Sequence, residues 1–331
     1  MIHAYVPRDG KVECQALGAD DAVPAGALWL DLHEPAAEEK ARIEKDLGLA
    51  LPTRAEMREI EPSNRLYAEG AAAYMTATFI AHADDPNPTS DAITFILAGK
   101  RLVTLRYSDP RPIGTCAARV TRQMPPPASG VEVQITLLEA FVNRMADVLE
   151  KVSLDLDNLS QAIFNEREST RRRQVGDGRD LQIVLKGLGR SEDINSTVRE
   201  SLLSLNRLLR FLAQTLDAGS LWDGKDQKAR MKQLRNDMIS LAEHATFETQ
   251  KINFLLDATL GMINIEQNRI IKIFSIAAVI FLPPTLVASL YGMNFQHMPE
   301  LEWLLGYPYA LTLMVISAIL PYLLFRRKGW L

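Results

Sequence analysis

Two apolar runs dominate the pattern of hydrophobic and polar positions along the chain. Ile273 to Tyr291 and Trp303 to Phe325 contain no charged residue. At about 1.5 Å rise per residue, each is long enough to cross a hydrocarbon core as a helix. The link between them, Gly292 to Glu302, suits a tight hairpin rather than a domain. Positive charge brackets this hairpin. Arg269 and Lys272 precede it, Arg326, Arg327 and Lys328 follow it, and no Lys or Arg lies between. Positive residues stay on the cytoplasmic side, so both termini are expected in the cytoplasm and the short loop outside.

The upstream pattern is that of a water-soluble protein. Short β-type runs occur at Ile2–Val6, Ala27–Leu32, Ala73–Ile80, Ile93–Leu97 and Leu102–Tyr107, punctuated by Gly, Pro, Asn and Asp. Helical patterns lie between them at Ala36–Leu47 and Thr53–Ile60, with a loop at Asp84–Pro88 and a turn at Asp109–Pro112. After Pro125-Pro126-Pro127 the period changes. Ile135, Leu138, Phe141, Val142, Met145, Val148, Leu149 and Val152 recur at steps of three and four, the mark of a helix with one buried face. A second helical run covers Asp180–Leu216 and breaks at Asp217–Ser220. A third starts near Asp226 and continues towards Tyr291. At ~60 residues it would be on the order of 90 Å long and would need partners.

Stepping along that last helix by four and three gives Asp257, Gly261, Asn264, Asn268, Ile271, Ser275, Ala278, Leu282, Thr285 and Ser289. A repeat of period 3.5 keeps one face turned to the axis of a helix bundle. All three hydroxyls of the first apolar run, Ser275, Thr285 and Ser289, fall on it. Small and hydroxyl residues also mediate helix packing in membranes, so the span by itself fits two uses. Its continuation into Asn268, Asn264 and Asp257 favours a water-filled path. One helix cannot enclose a path, so copies of the chain would form a ring.

Composition adds exclusions. The 331 residues are 24% charged with a formal net charge of −4, and no strongly basic domain points to nucleic acid. The start, MIHAYVPRDG, has no apolar signal core. The topology then leaves the large first part in the cytosol, with Cys14 and Cys116 reduced and structural. No phosphate loop, Cys-x-x-Cys, His-x-Glu or nucleophile elbow supports an enzyme, and no catalytic cofactor is expected.

The segment Tyr291-Gly292-Met293-Asn294-Phe295, followed by Met298-Pro299-Glu300-Leu301, resembles the signature of the CorA family of divalent-cation channels. Phe281-Leu282-Pro283-Pro284-Thr285-Leu286, Gly306-Tyr307-Pro308 and Lys328-Gly329-Trp330-Leu331 extend the likeness over residues 265–331. The resemblance implies a funnel-shaped homopentamer in the inner membrane. Each chain would have an α+β cytosolic domain followed by a long stalk helix and two transmembrane α-helices. Its cargo would be Mg²⁺, often also Co²⁺ or Ni²⁺. The family motif maps onto Gly292, Met293 and Asn294 as the external selectivity site. The pore residues map onto Asn268, Leu282 and Thr285, with Asp257 in the funnel.

Mg²⁺ sheds water reluctantly, so a ring of Asn294 amides suits a hydrated ion. Leu282 would form an apolar constriction, or else a lipid or helix contact. Glu300 and Glu302 would gather cations at the mouth, or simply solvate the loop. Arg269, Lys272, Arg326, Arg327 and Lys328 would form a basic belt. Pro283-Pro284 and Pro321 interrupt backbone hydrogen bonding in the spans, as hinges or as fixed kinks.

Family behaviour further implies that cytosolic Mg²⁺ between neighbouring subunits holds the channel shut. Its ligands are not marked by a motif, and Asp84, Asp85, Asp91, Asp147, Asp155 and Asp157 qualify by charge only. Two other functions fit the layout: a zinc transporter of the related ZntB type, towards which His297 leans, and a membrane-anchored sensor. Met293 favours the first family, and the polar stripe disfavours an anchor. The expected division is 1–130 α/β domain, 131–225 long helices, 226–270 stalk helix, 271–291 first span, 292–302 external loop, 303–325 second span and 326–331 basic tail.

Overall fold

A computed structural model describes residues 1–18, 21–59, 61–81, 83, 85, 88–164, 177–219, 222, 224–294, 298–299 and 303–329. The chain divides into two compact units. One holds Met1–Arg172 and Ile183–Leu256, and the other holds Arg173–Gln182 and Asp257–Leu331.

The first unit is built on a sheet of β1 (Ile2–Arg8), β2 (Lys11–Leu17), β3 (Trp29–His33), β4 (Leu66–Glu69), β5 (Ala72–Ala81), β6 (Thr89–Ala98) and β7 (Arg101–Arg106). The spatial order is β2-β1-β3-β7-β6-β5-β4. Only β3 and β7 pair in parallel, with Asp31 opposite Thr104. Both faces are covered, which is why β5 is buried along its whole length. One face carries Leu30, Leu32, Tyr74, Ile96, Val103 and Leu105, and packs with Ile43 of α1 (Ala37–Leu47). The other carries Phe79, which stacks on Phe141 at 3.9 Å between ring centres, and Met75, whose Sδ accepts from Gln134 Nε2 at 3.6 Å.

Two strands, β2 and β4, stand outside the sequence reading, both at sheet edges. The Thr53–Ile60 helix does not form. Thr53 and Glu56 begin one, each side chain meeting the other's amide. It stops after a 3₁₀ turn at Glu56–Arg58. Pro62 follows shortly and opens a four-residue helix, α2 (Pro62–Arg65). A residue before proline is pushed out of the α region, which breaks the run.

After α3 (Arg111–Arg122) come the long helices, α4 (Gly130–Phe164), α5 (Asp177–Gly219) and α6 (Lys225–Tyr291). Every apolar residue that the period of α4 selects, from Ile135 to Val152, is buried. Arg230 pairs with Glu139 at 2.8 Å and Lys251 with Asp157 at 2.7 Å, so α4 and this part of α6 run parallel. Asp217 meets Lys228, and Asn195 meets Thr249, so α5 runs against α6. The two cysteines are free thiols. Cys116 is buried, and burial pushes its thiol up to about 12. Cys14 is instead exposed on edge strand β2, so it is not a core residue.

The second unit holds the rest of α6, from Asp257, and α7 (Gly306–Arg327). Both helices are long and apolar enough to cross a membrane, and only 6% of the most apolar window in each is buried. They are therefore not the core helices of a globular domain. Pro283 and Pro284 sit inside continuous helix, where they remove the amides that would meet the carbonyls of Val279 and Ile280.

Candidate ion pathway

The stripe residues share one environment. Asp257, Gly261, Asn264, Asn268, Ile271, Ser275, Ala278, Leu282, Thr285 and Ser289 are all exposed. At 3.6 residues per turn they spread over about 120° of the helix, and from Asp257 to Ser289 the row drifts by only about 40°. The chain covers a different face. Ile276 is buried, and Ala277, Ile280, Pro283, Val287 and Tyr291 are half-buried. These centre about 150° round the helix from the stripe. On α7, Ala310 is buried. The row thus points away from the surface that its own chain shields.

Among the described residues, the side chains of Asp257, Asn264 and Asn268 form no hydrogen bond or ion pair. Thr285 Oγ1 donates to the carbonyl of Phe281 at 2.7 Å, which ties the hydroxyl to its own helix and leaves its lone pairs facing outward.

Gly292, Met293 and Asn294 follow the last turn of α6 and are exposed. The Gly292 amide donates to Ala288 O at 3.0 Å and that of Met293 to Leu290 O at 3.4 Å, so the tripeptide caps the helix. A Cβ at Gly292 would lie 3.0 Å from Ala288 O, tighter than an ordinary contact. Glu300 and Glu302 lie outside the described residues, as do Asp84 and His297. Trp303 meets Tyr309 edge-on at 6.1 Å where α7 begins, in keeping with an aromatic belt at a membrane surface.

Of the basic residues, Arg269 pairs with Glu266 at 3.4 Å. Lys272 is half-buried with an interaction of its own, and Arg326, Arg327 and Lys328 are exposed at the end of α7. Asp157 is engaged by Lys251. Asp147 and Asp155 line a cavity of about 260 Å³ with Arg144, Lys151 and Arg190. Among the described residues, no three His, Cys, Asp or Glu side chains gather around one point. The sequence reading missed the Arg230–Glu139 pair and a Ser153–His244–Glu248 cluster, whose members lie far apart along the chain.

These features define a membrane protein with a two-helix hairpin attached to a mixed α/β unit. The model of the CorA-like Mg²⁺ transporter protein family matches residues 24–327. The chain is 36% identical over 331 residues to the magnesium transport protein CorA of Yersinia pseudotuberculosis, covering 100% of both. It is 37% identical over 305 residues to the CorA of Escherichia coli, covering 92% of each. Its fold matches the complete CorA magnesium transporter of Methanocaldococcus jannaschii with a TM-score of 0.74 at 18% identity, over 100% of this chain and 99% of that one. The chain belongs to the CorA-like Mg²⁺ transporter family.

Proposed function

We propose that this chain is the protomer of a homopentameric channel that carries Mg²⁺ across the cytoplasmic membrane. The observation that carries the reading is the stripe: a row of mostly small and polar residues, each of them exposed, on a helix whose first span is otherwise apolar enough for lipid. Lipid gives such a row no partners, and a single helix cannot enclose water. Five copies arranged round the row would. Asn264, Asn268, Ser275, Thr285 and Ser289 then offer oxygens to a hydrated ion, Leu282 forms the narrow apolar ring, and Asp257 faces the cytosolic entry.

Gly292, Met293 and Asn294 stand at the external mouth. An Asn294 amide ring hydrogen-bonds the first-shell waters of Mg²⁺ without stripping them. Identity of 36–37% to magnesium transport proteins over nearly the whole chain supports Mg²⁺ as the cargo. Co²⁺ and Ni²⁺ are secondary ions of this reading, on the resemblance of the external motif alone. Both termini are cytoplasmic, and cytosolic Mg²⁺ closes the channel from between subunits.

Flux into proteoliposomes tests this. The full-length protein should admit Mg²⁺, internal Mg²⁺ should suppress the flux, and Asn294→Ala should disrupt it. Zn²⁺ flux without Mg²⁺ flux would overturn the choice of ion. Absence of any flux from verified oligomers at low internal Mg²⁺ would overturn the channel.

A further inference from the structure

The channel reading leaves one cluster in the first unit without a use. Ser153 on α4 faces His244 and Glu248 on α6. Ser153 Oγ is 3.2 Å from His244 Nε2 and donates to Glu248 Oε1. His244 Nε2 is 3.4 Å from the same carboxylate oxygen. The i,i+4 spacing puts His244 and Glu248 on one helix face, and the parallel run of α4 brings Ser153 to it. Behind them, Asn195 Nδ2 donates to Ala245 O at 2.9 Å and to Thr249 Oγ1 at 2.8 Å, fixing α6 against α5.

The cluster has an inner and an outer side. Glu248 is 1% exposed, and its Oε2 accepts no hydrogen bond among the described residues. The His244 side chain is 43% exposed and forms the opening. A buried carboxylate oxygen without a donor is costly, so it calls for a proton or a cation. The imidazole beside that carboxylate favours a cation. Donors at 2.0–2.1 Å from a tetrahedral ion stand about 3.3–3.4 Å apart, close to the Ser153–His244 and His244–Glu248 separations, whereas Ser153 Oγ is hydrogen-bonded to Glu248 Oε1 and has to move off it as an ion enters. An imidazole nitrogen beside a carboxylate suits Zn²⁺, Co²⁺ or Ni²⁺, whereas Mg²⁺ prefers six oxygens.

We propose that Ser153, His244 and Glu248 form a binding site for a divalent transition-metal ion, which ties α4 to α6. Glu248 and His244 are the strong ligands, Ser153 Oγ is the weak third, and water completes the shell. Two strong ligands give reversible binding, which suits a site that samples ion concentration more than one that holds a permanent structural metal. The Lys251–Asp157 pair spans the same two helices one turn further on and keeps the ligands in register. The site does not depend on the transport reading.

The test is a Co²⁺ titration of the detergent-purified full-length protein in excess Mg²⁺, which fills oxygen-only sites. Four-coordinate Co²⁺ absorbs visible light far more strongly than the hydrated ion. The expected result is a band that saturates at about one ion per chain, as one such site dictates. It should vanish in His244→Ala, weaken in Glu248→Gln and persist in Asn294→Ala. Thermal unfolding provides a second measure. Zn²⁺ should raise the midpoint of the wild type and leave that of His244→Ala unmoved, while the metal-free midpoints agree. Should Glu248→Gln fail to fold, the solvent-facing His244→Ala still decides the question. No band in the wild type, or the same band in both ligand variants, would overturn the site. So would a midpoint that responds to pH through His244 and not to metal.

Discussion

The proposed path puts water on one side of the first span and not on the other, which a pair of neighbouring residues can test. Ser289 is exposed on the stripe, and Val287 is half-buried only two residues away. They sit at nearly one depth, about 3 Å apart along the axis, and about 160° apart round it. Ser275 and Ala277 form a second such pair deeper in the span. Each of the four is changed singly to cysteine in a Cys14→Ser/Cys116→Ala background, which removes both native thiols.

The thiolate attacks the thiosulfonate, forming a mixed disulfide and expelling a sulfinate. An ordinary thiol with a pKa of about 8.5 is about one-tenth thiolate at pH 7.5. Packing against protein or lipid raises that pKa, and each two-unit rise lowers the thiolate fraction about 100-fold. A membrane-impermeant cationic thiosulfonate should therefore react with Ser289→Cys on the order of 100 times faster than with Val287→Cys. Reaction at the stripe should also block ion flux, which is followed in proteoliposomes. The Ser275 and Ala277 variants should show the same ordering. Equal rates within the pairs, or faster reaction at Val287 and Ala277, would refute an aqueous face.

Three further outcomes concern the first unit. Arg106 is buried in the sheet and held charged: burial opposes this, but its bonds to Asp31 outweigh the loss and raise its pKa. Asp31→Asn, which leaves the exposed Asp109 as the carboxylate partner of Arg106, should cost about 2–3 kcal/mol and lower the unfolding midpoint, while Asp31→Leu with Arg106→Leu should cost less. Gly130 opens α4 so close to the β6–β7 turn that a Cβ would lie 2.3 Å from the Leu102 amide nitrogen. Gly130→Ala should accordingly abolish the 2.6 Å bond from Gly130 N to Lys100 O and sharply reduce folded yield in size-exclusion chromatography. Burial raises the Glu192 carboxyl above its ordinary 4.5, so the folded protein holds the proton over a window in which the unfolded chain has lost it. Stability therefore falls as pH rises through that window, and Glu192→Gln should raise the thermal midpoint at pH 7.5 by a margin that vanishes below about pH 4.5.

What the sequence made legible follows from how local each signal is. The membrane hairpin needs only long uncharged runs, and the stripe only a period, so both could be counted residue by residue. The central strands β5, β6 and β7 are buried runs of apolar residues and stood out for that reason. Edge strand β2 exposes Lys11 and the four residues from Glu13 to Ala16, and so lacks an apolar run. Its one local mark is Asp9-Gly10, both with positive φ, the signature of a two-residue hairpin turn. The Asp31–Arg106 pair and the Ser153–His244–Glu248 cluster join residues 75 to 95 positions apart, and no local pattern announces them.

One helix, α6, shows why both environments are needed. Up to Leu255 one apolar face is turned inward: Leu234, Met238, Ile252 and Leu255 are buried by the rest of the first unit, while Ile239, Phe247 and Phe254 stay exposed. From Leu260 onward only Ile276 is buried, while Phe274, Phe281 and Leu286 are each at least 65% exposed. A single chain cannot shield that much apolar surface, and hydrocarbon can. Hydrocarbon, however, would leave the exposed hydroxyls of Ser275 and Ser289 without partners, at a cost of several kcal/mol for each unsatisfied group. The two demands conflict for a lone hairpin in any one solvent. The proposed ring of hairpins would resolve the conflict by turning the apolar surface to lipid and neighbours and the stripe to an enclosed column of water. In the proposed channel, the same row of residues that would leave an isolated hairpin unsatisfied in a bilayer would line the path of the ion.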